Sequence, residues 1–384
     1  MEKGMDDYIK LIDNNVRFWM IRTKQGFFFD EFIRDEYVAI GWNNITESRL
    51  KGIVSKQQEK LLKEEIGNFY DEKRPGTALN KCRRFYNDVK KGDFVVIVGN
   101  KKVGIAEVGD YYEESEEVFT VEKEKNIHNE IEHYDHKRDK IICPYIKRRK
   151  IKLLNLLSEK DIVNPYLSVA LSVNRHSLSD LSDYAEIILS NCYEVFVYQS
   201  KLTLTVRVGQ DKDINAMALS GFIYASSKFL GGYDKVVTVK TALHSPGDIL
   251  LQVQNYIPDI DTIEALMIYL SLLGCKFGSV EFNSILKLYK DWSNRKHNRK
   301  MQELDEKLKE AEIELKKAET DKIRVETELL KNEKKQMVDE QESDTKKGEK
   351  YLSMVAECSK ELLVKPTKTK IINFDKERIE QNKK

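Results

Sequence analysis

The residue types that most often carry chemistry do not fall into a catalytic pattern in this chain. His, Ser and Asp stand together at 244–248, but the members of a catalytic triad come from distant segments, and this run is more typical of a turn. His128, His133, His136 and Cys143 are residue types that bind zinc, yet their spacing matches no standard zinc finger. The sequence therefore predicts no metal site and no cofactor, and it favours a binding protein over an enzyme.

Aromatic residues near the ends of predicted strands form a more informative pattern. Trp19 lies in one strand-like run, Trp42 ends a second, and Tyr112 follows a third. Phe85 lies on the inward face of a predicted helix. Such rings can form a slot for a flat group such as a nucleobase, and they can equally form the core of a small β-rich domain. We interpret Trp19 as a core residue, and we expect Trp42 and Tyr112 to contact a ligand.

Short motifs across residues 14–190 give these aromatic residues a common context. In chain order they are Trp19, Gly41-Trp42, Phe85, Lys91-Gly92-Asp93, the segment 104–108, Tyr112, His136-Lys137-Arg138, and the segment 164–171 followed by Arg175. This series resembles the EVE-like branch of the PUA-like superfamily, a reader domain of bacterial restriction and defence proteins. The resemblance implies a PUA-like β-barrel with helices, which holds an extruded and often modified base in an aromatic pocket. Stacking on an aromatic ring contributes about 1–3 kcal/mol per base, which offsets the cost of extrusion.

Basic residues close to these motifs predict where phosphate groups bind. The chain has 65 Lys and Arg against 64 Asp and Glu, a net charge of +1, so any basic surface must be local. Lys147, Arg148 and Arg149 lie together on a predicted strand, and Arg138 precedes them. We expect these four side chains to contact the phosphates of DNA or RNA. A solvated face has the same composition, and that alternative stays open.

Changes of pattern along the chain predict an α+β protein in four parts. The reader domain at 14–190 is followed by a second small α+β domain at 191–295, which combines two hairpin patterns with apolar helices. Residues 296–336 carry a heptad pattern dense in Lys and Glu, which predicts a C-terminal coiled-coil helix. Its apolar seam is Met301, Leu304, Leu308, Ala311, Leu315, Ala318, Val325 and Leu329, interrupted by Lys322. Residues 337–384 are predicted to be a largely disordered tail, with one amphipathic segment at 351–364.

The remaining features concern partners and location. Five cysteines without a CxxC pair fit a reducing cytoplasm better than a disulfide framework, and no apolar run reaches the roughly 20 residues that span a membrane. We expect a cytoplasmic protein that associates with a second copy or a partner protein through the coiled coil and does not enter membranes. Two other functions stay open. One is a nuclease or other effector in 191–295, with Asp234 and Lys240 or Glu281 and Lys287 as candidate pairs. The other is an oligomeric interaction scaffold.

Overall fold

The computed structural model describes residues 9–365 except for short gaps. The gaps are 115–123, 125–126, 128–141, 159–164, 175, 210–212, 232–234, 243–246, 257–259, 274–281 and 319–320. The chain forms two compact units, the N-terminal unit Leu11–Tyr193 and the C-terminal unit Glu194–Thr367. Each unit combines a β-sheet with helices, so the predicted α+β class is confirmed. Across the described residues, no helix has the length and apolar character needed to span a membrane.

One sheet organises the N-terminal unit. The first strand of the chain, β1 (Lys10–Leu11), joins the other sheet. The strands of the N-terminal sheet are β2 (Phe18–Arg22), β3 (Tyr37–Ile40), β4 (Phe94–Val98), β5 (Lys102–Glu113), β6 (Lys147–Ser158) and β7 (Leu178–Asp180). Their order is β3-β6-β5-β4-β2-β7, with β2 and β4 parallel and the other neighbours antiparallel. β4 is a short apolar run rich in valine, the composition expected of a strand buried on both faces.

The N-terminal sheet is a curled half-barrel. Among the described residues β3 and β7 remain at its two edges, so the barrel expected from the resemblance is open. β5 and β6 are 12 residues long, and their pairing shifts register between Ile105 and Ala106 and again between Val108 and Tyr111. Register shifts of this kind bend a strand and increase its twist, which accounts for the curl.

Helices cover the sheet of the N-terminal unit. They are α1 (Phe29–Arg34), α2 (Glu47–Lys51), α3 (Lys56–Tyr70), α4 (Pro75–Arg83), α5 (Pro165–Val173) and α6 (Ala185–Ser190). The apolar spacing of residues 46–70 predicts one helix, but there are two, because the Ser55 hydroxyl accepts the Gln58 N–H and starts α3 with a capping box. α4 continues into a π-helical turn at Arg84–Asp88. Trp19 from the sheet, Phe32 from α1, Ile66 from α3 and Cys82 from α4 belong to one fully buried core.

The C-terminal unit is built on a second sheet. Its strands are β1, β8 (Val195–Tyr198), β9 (Lys201–Val208), β10 (Val237–Ala242), β11 (Gly247–Val253) and β12 (Val364–Lys365). Its helices are α7 (Ala216–Gly231), α8 (Ile260–Leu272), α9 (Phe282–Ala318) and α10 (Asp321–Glu361). The strand order is β1-β8-β9-β11-β10, and β12 pairs with β9 beside β8. Leu204 and Ile249 of the sheet share a core with Phe222 of α7, Tyr269 of α8 and Val355 of α10.

The two long helices form an antiparallel hairpin within one chain. Lys290 of α9 pairs with Glu349 of α10 at 3.3 Å, and farther along Asp305 pairs with Lys334. The heptad pattern predicts one continuous helix, whereas the structure has two helices, α9 and α10. The seam residue Leu304 is buried in α9, but the seam residue Leu329 in α10 is 61% exposed. α9 finds its partner helix in the same chain, so association with a second copy or a partner protein stays a prediction.

The predicted disordered tail is wrong as far as Glu361, where α10 ends. Leu352 and Val355 are spaced three residues apart on one face of α10, and both are fully buried. Beyond the helix, the N–H of Gly209 donates to the carbonyl of Leu363 at 3.2 Å and extends the pairing of β12 with β9. The amphipathic segment 351–364 is therefore an integral part of the core of the C-terminal unit.

Candidate functional site

Trp42, which follows β3 after Gly41, has a strained backbone. Its φ is +63°, in the left-handed region. This conformation costs about 1–2 kcal/mol for a residue other than glycine. A bulky residue in this region is an outlier that persists only where the surrounding structure holds it. The contacts of Trp42 therefore define the candidate site.

Three side chains hold the peptide groups around Trp42. The Glu124 carboxylate accepts the N–H of Trp42 through Oε1 and the N–H of Asn43 through Oε2, the latter at 2.8 Å. The same Oε2 accepts the Tyr70 hydroxyl at 2.9 Å. The Trp42 carbonyl accepts the Lys147 ammonium at 2.6 Å. We call Glu124, Tyr70 and Lys147 the Trp42 clamp, because together they stabilise a backbone conformation that is otherwise unfavourable.

Gly41 is needed for this arrangement because of a close approach. A Cβ at this position would lie 2.6 Å from Oε1 of Glu124 and 3.2 Å from a ring carbon of Tyr145. Any larger residue would push the carboxylate away from the backbone that it binds. The Gly41-Trp42 pair therefore has a physical cause: glycine admits the carboxylate, and the carboxylate fixes the tryptophan.

The Trp42 ring packs against the core but is only partly buried. The Nζ atom of Lys81 lies 5.3 Å from the ring centroid, a cation–π contact. Lys81 is half-buried, and this desolvation lowers the pKa of its ammonium group. No carboxylate of the described residues forms an ion pair with Lys81. The site thus combines a partly open aromatic surface with a half-buried positive charge, which among the described residues feels the carboxylate of Glu72 only electrostatically, without an ion pair.

A hydrogen-bonded network lies on the same face of β5 as the clamp. The Tyr111 hydroxyl donates to Oε1 of Glu113 at 2.6 Å, and the N–H of Glu47 donates to the same oxygen at 2.7 Å. The Tyr86 hydroxyl donates to Glu47 at 2.8 Å, and the rings of Tyr86 and Tyr111 meet edge to face with centroids 5.0 Å apart. Glu113 is the register partner of Lys147, which places this network beside the clamp.

The prediction that Trp42 and Tyr112 contact the same ligand is corrected, because the pleat of β5 places Tyr112 on the other face of the strand. Successive side chains of a strand point to opposite faces, so Tyr111 lies on the face of the clamp and Tyr112 on the other. The register partner of Tyr112 is Arg148, whose guanidinium donates to the carbonyls of Tyr145 at 2.9 Å and Cys143 at 3.1 Å. Tyr111 is therefore the tyrosine of this strand that can serve the site.

The predicted phosphate contacts of the basic strand are also corrected. Lys147, Arg148 and Arg149 are 0%, 7% and 5% exposed. Lys147 and Arg149 share the face of the clamp, and Arg148 points the other way. All three donate to backbone carbonyls, which are acceptors that a buried cation requires. As arranged, these cations stabilise the fold and do not reach a phosphate backbone.

Arg149 explains the π-helical turn at Arg84–Asp88. In this turn the N–H of Val89 donates to the carbonyl of Arg84 at 2.9 Å, one residue wider than in an α-helix. The guanidinium of Arg149 donates to the carbonyls of Phe85 and Tyr86 at 3.0 and 2.9 Å. Burial lowers the pKa of Arg149. Phe85 itself is fully buried, so the structure places this predicted site residue in the core.

Trp19 is likewise a core residue. It is fully buried, and its indole N–H donates to Oδ2 of Asp93 at 2.8 Å. Asp93 also accepts the backbone N–H groups of Lys90 at 2.8 Å and Arg17 at 3.0 Å. Gly92, with φ of +90°, makes the turn that brings this carboxylate into position. The Lys-Gly-Asp motif therefore anchors β2 to the start of β4.

The described part of the site contains no activated nucleophile. The Cys82 thiol is fully buried, and burial raises its pKa to about 11, so it stays protonated at neutral pH. Within the described residues, no three His, Cys, Asp or Glu side chains come together as metal ligands. Several residues named from the sequence lie outside the described residues: His128, His133, His136, Lys137, Arg138, Arg175, Asp234, Glu281 and the run 244–246. The arrangement is suited to binding a ligand.

The chain matches no family model, no curated protein and no solved structure. The proposed function therefore depends on the geometry of the site and on the resemblance of its motifs. Sequence reasoning missed Glu124, Tyr70 and the contact of Lys81 with Trp42. Glu124 lies in an acidic run that is typical of an exposed loop, and no local pattern distinguishes it from its neighbours.

Proposed function

We propose that the N-terminal unit binds nucleic acid by stacking an extruded or single-stranded base on the Trp42 ring. The observation that carries the proposal is the clamp, which holds a partly exposed tryptophan at φ of +63°. A tryptophan that only filled the core would not need a strained backbone or a dedicated carboxylate. Strain of this kind clusters at ligand-binding sites, where a fixed geometry removes the cost of ordering the residue on binding.

A nucleobase suits this site for two physical reasons. Every base has a flat π-face, and stacking on an aromatic side chain contributes about 1–3 kcal/mol per base. The neighbouring Lys81 supplies a positive charge, which favours a ligand that carries phosphate. Extrusion from a duplex costs least for an unpaired or damaged base. The resemblance to reader domains of restriction and defence proteins adds a modified base as the expected target and a prokaryotic defence system as the expected setting.

The test is a binding panel with the full chain. Fluorescein-labelled 12-nucleotide DNA and RNA, single- and double-stranded, with unmodified, methylated or hydroxymethylated cytosine, would be titrated at 50 mM NaCl and followed by anisotropy. We expect at least one class to bind, and we expect Trp42→Ala to weaken that binding by about 5–150-fold, the loss of one stacked base. Absence of binding by every probe would refute the proposal.

Two controls separate loss of the ring from loss of the fold. Trp42→Phe keeps an aromatic face and should retain part of the affinity, while circular dichroism and thermal melting report whether each variant is folded. Tyr224→Ala removes a tyrosine of the C-terminal unit that is 51% exposed, and it should leave binding unchanged. Equal losses for Tyr224→Ala and Trp42→Ala would place the binding surface elsewhere.

A further inference from the structure

Lys81 lies on α4, and its ammonium group lies over the ring on which a base would stack. Its ammonium group sits 5.3 Å from the centroid of the Trp42 ring. A cation over an aromatic face at a partly exposed site contributes less than a stacked base does. A base can therefore displace Lys81 from the ring.

The basic residues near Lys81 already have partners. Arg83 pairs with Glu59 at 2.9 Å, and Arg84 lies 3.8 Å from Asp88. Lys147 is fully buried and donates to the Trp42 carbonyl. Among the described residues, Lys81 alone of the three cations at the end of α4 has no carboxylate in an ion pair with it, and Glu72 attracts it only from farther away. A half-buried ammonium without a direct ion pair is unfavourable, and an anion in contact with it would relieve that cost.

We infer that Lys81 is the phosphate ligand of this site, and that it moves from the Trp42 ring to the phosphate of the nucleotide whose base stacks there. The inference rests on the proposed function and gives it a substrate class: a nucleotide bearing phosphate. Lysine suits this role because its flexible four-carbon stem carries a compact charge that can occupy either position.

The test is the salt dependence of binding. The full chain, Lys81→Gln, Lys81→Arg and Lys60→Gln would each be titrated with labelled single-stranded 12-nucleotide DNA at 50, 100 and 200 mM NaCl. Lys60 is the matched control, because its side chain is 79% exposed on the neighbouring helix α3. One phosphate contact to a single strand contributes about 0.7 to the slope of log K against log salt concentration. For Lys81→Gln we expect weaker binding and a slope smaller by about this amount, so that its affinity deficit shrinks by about 2.6-fold between 50 and 200 mM.

Each outcome decides between the alternatives. Lys81→Arg should keep the slope of the original chain, and Lys60→Gln should match it in slope and affinity. An unchanged slope for Lys81→Gln overturns the inference but leaves the proposed function in place, and tighter binding at an unchanged slope would mean that Lys81 only covers the ring. Absence of binding by the original chain overturns both the inference and the proposed function.

Discussion

Replacing Glu124 by glutamine tests whether the carboxylate holds Trp42. Both carboxylate oxygens accept backbone N–H groups, Oε1 that of Trp42 and Oε2 that of Asn43. A glutamine has one oxygen, so its amide NH₂ must face one of these N–H groups in either orientation. Tyr70 already donates its hydroxyl to Oε2 of Glu124 and accepts the N–H of Asn44 at 3.1 Å.

The expected cost follows from these contacts. A hydrogen bond to a charged acceptor contributes about 1.5–3 kcal/mol, and a buried donor without an acceptor costs about 1–3 kcal/mol. One such bond is lost in Glu124→Gln, and the other is weakened because the charge is gone. We therefore expect the free energy of unfolding of the N-terminal unit to fall by about 3 kcal/mol.

Urea denaturation followed by tryptophan fluorescence measures this change. The chain has three tryptophans, and a Trp292→Phe background restricts the signal to Trp19 and Trp42 of the N-terminal unit. The matched control is Glu65→Gln, a surface carboxylate on α3 that is 56% exposed and pairs with Arg49. It should change stability by no more than about 0.5 kcal/mol. If Glu124→Gln costs no more than the control does, the clamp does not hold Trp42 and the reasoning about the site fails.

Three further predictions concern packing and titration. Leu352→Ala should destabilise the C-terminal unit by about 2–5 kcal/mol in urea denaturation, because this leucine is fully buried. The same change at the exposed Leu329 should cost under about 0.5 kcal/mol. A larger loss of stability for Leu329→Ala than for Leu352→Ala would favour one continuous coiled coil. With iodoacetamide at pH 8, mass spectrometry should find the half-buried Cys358 labelled well before the buried Cys82, and equal rates would contradict the burial. Burial raises the pKa of Cys82 from 9.0 to about 11, so the folded chain keeps a proton that the unfolded chain releases, and the urea midpoint should fall between pH 9 and pH 11. A midpoint that stays constant across that range would count against this.

The parts of the fold that follow local patterns could be predicted from the sequence. β4 is a buried apolar run, and the helix of residues 56–70 carries its apolar residues on one face, so both elements are encoded locally. The side chains of β5 that face the clamp could not be assigned from the sequence, because Tyr111 and Tyr112 are adjacent and the strand shifts register just before them. One residue of shift exchanges the two faces, and it decides which tyrosine serves the site.

The site itself depends on contacts between distant segments. Glu124 binds Trp42 across 82 positions of the sequence, and Arg149 binds the Phe85 carbonyl across 64. A basic strand is normally solvated, so nothing in the run Lys147-Arg148-Arg149 indicates that its charges are buried and bound to carbonyls. Apart from the pairing of Arg148 with Glu114, the partners named above are backbone oxygens, which every residue carries and which no composition or spacing can reveal.

The pairing of β12 with β9 has a consequence for the order of folding during synthesis. Val364 and Val208 are neighbours in the sheet although 156 residues separate them. At about 5–20 residues per second, a ribosome needs about 8–30 s to make that intervening chain. The N-terminal unit can be complete before this interval begins. The C-terminal unit cannot fold fully until β12 is made, and until then β9 lacks this partner strand and the apolar core is exposed. During that time the nascent C-terminal unit is the part of the protein that most needs a chaperone.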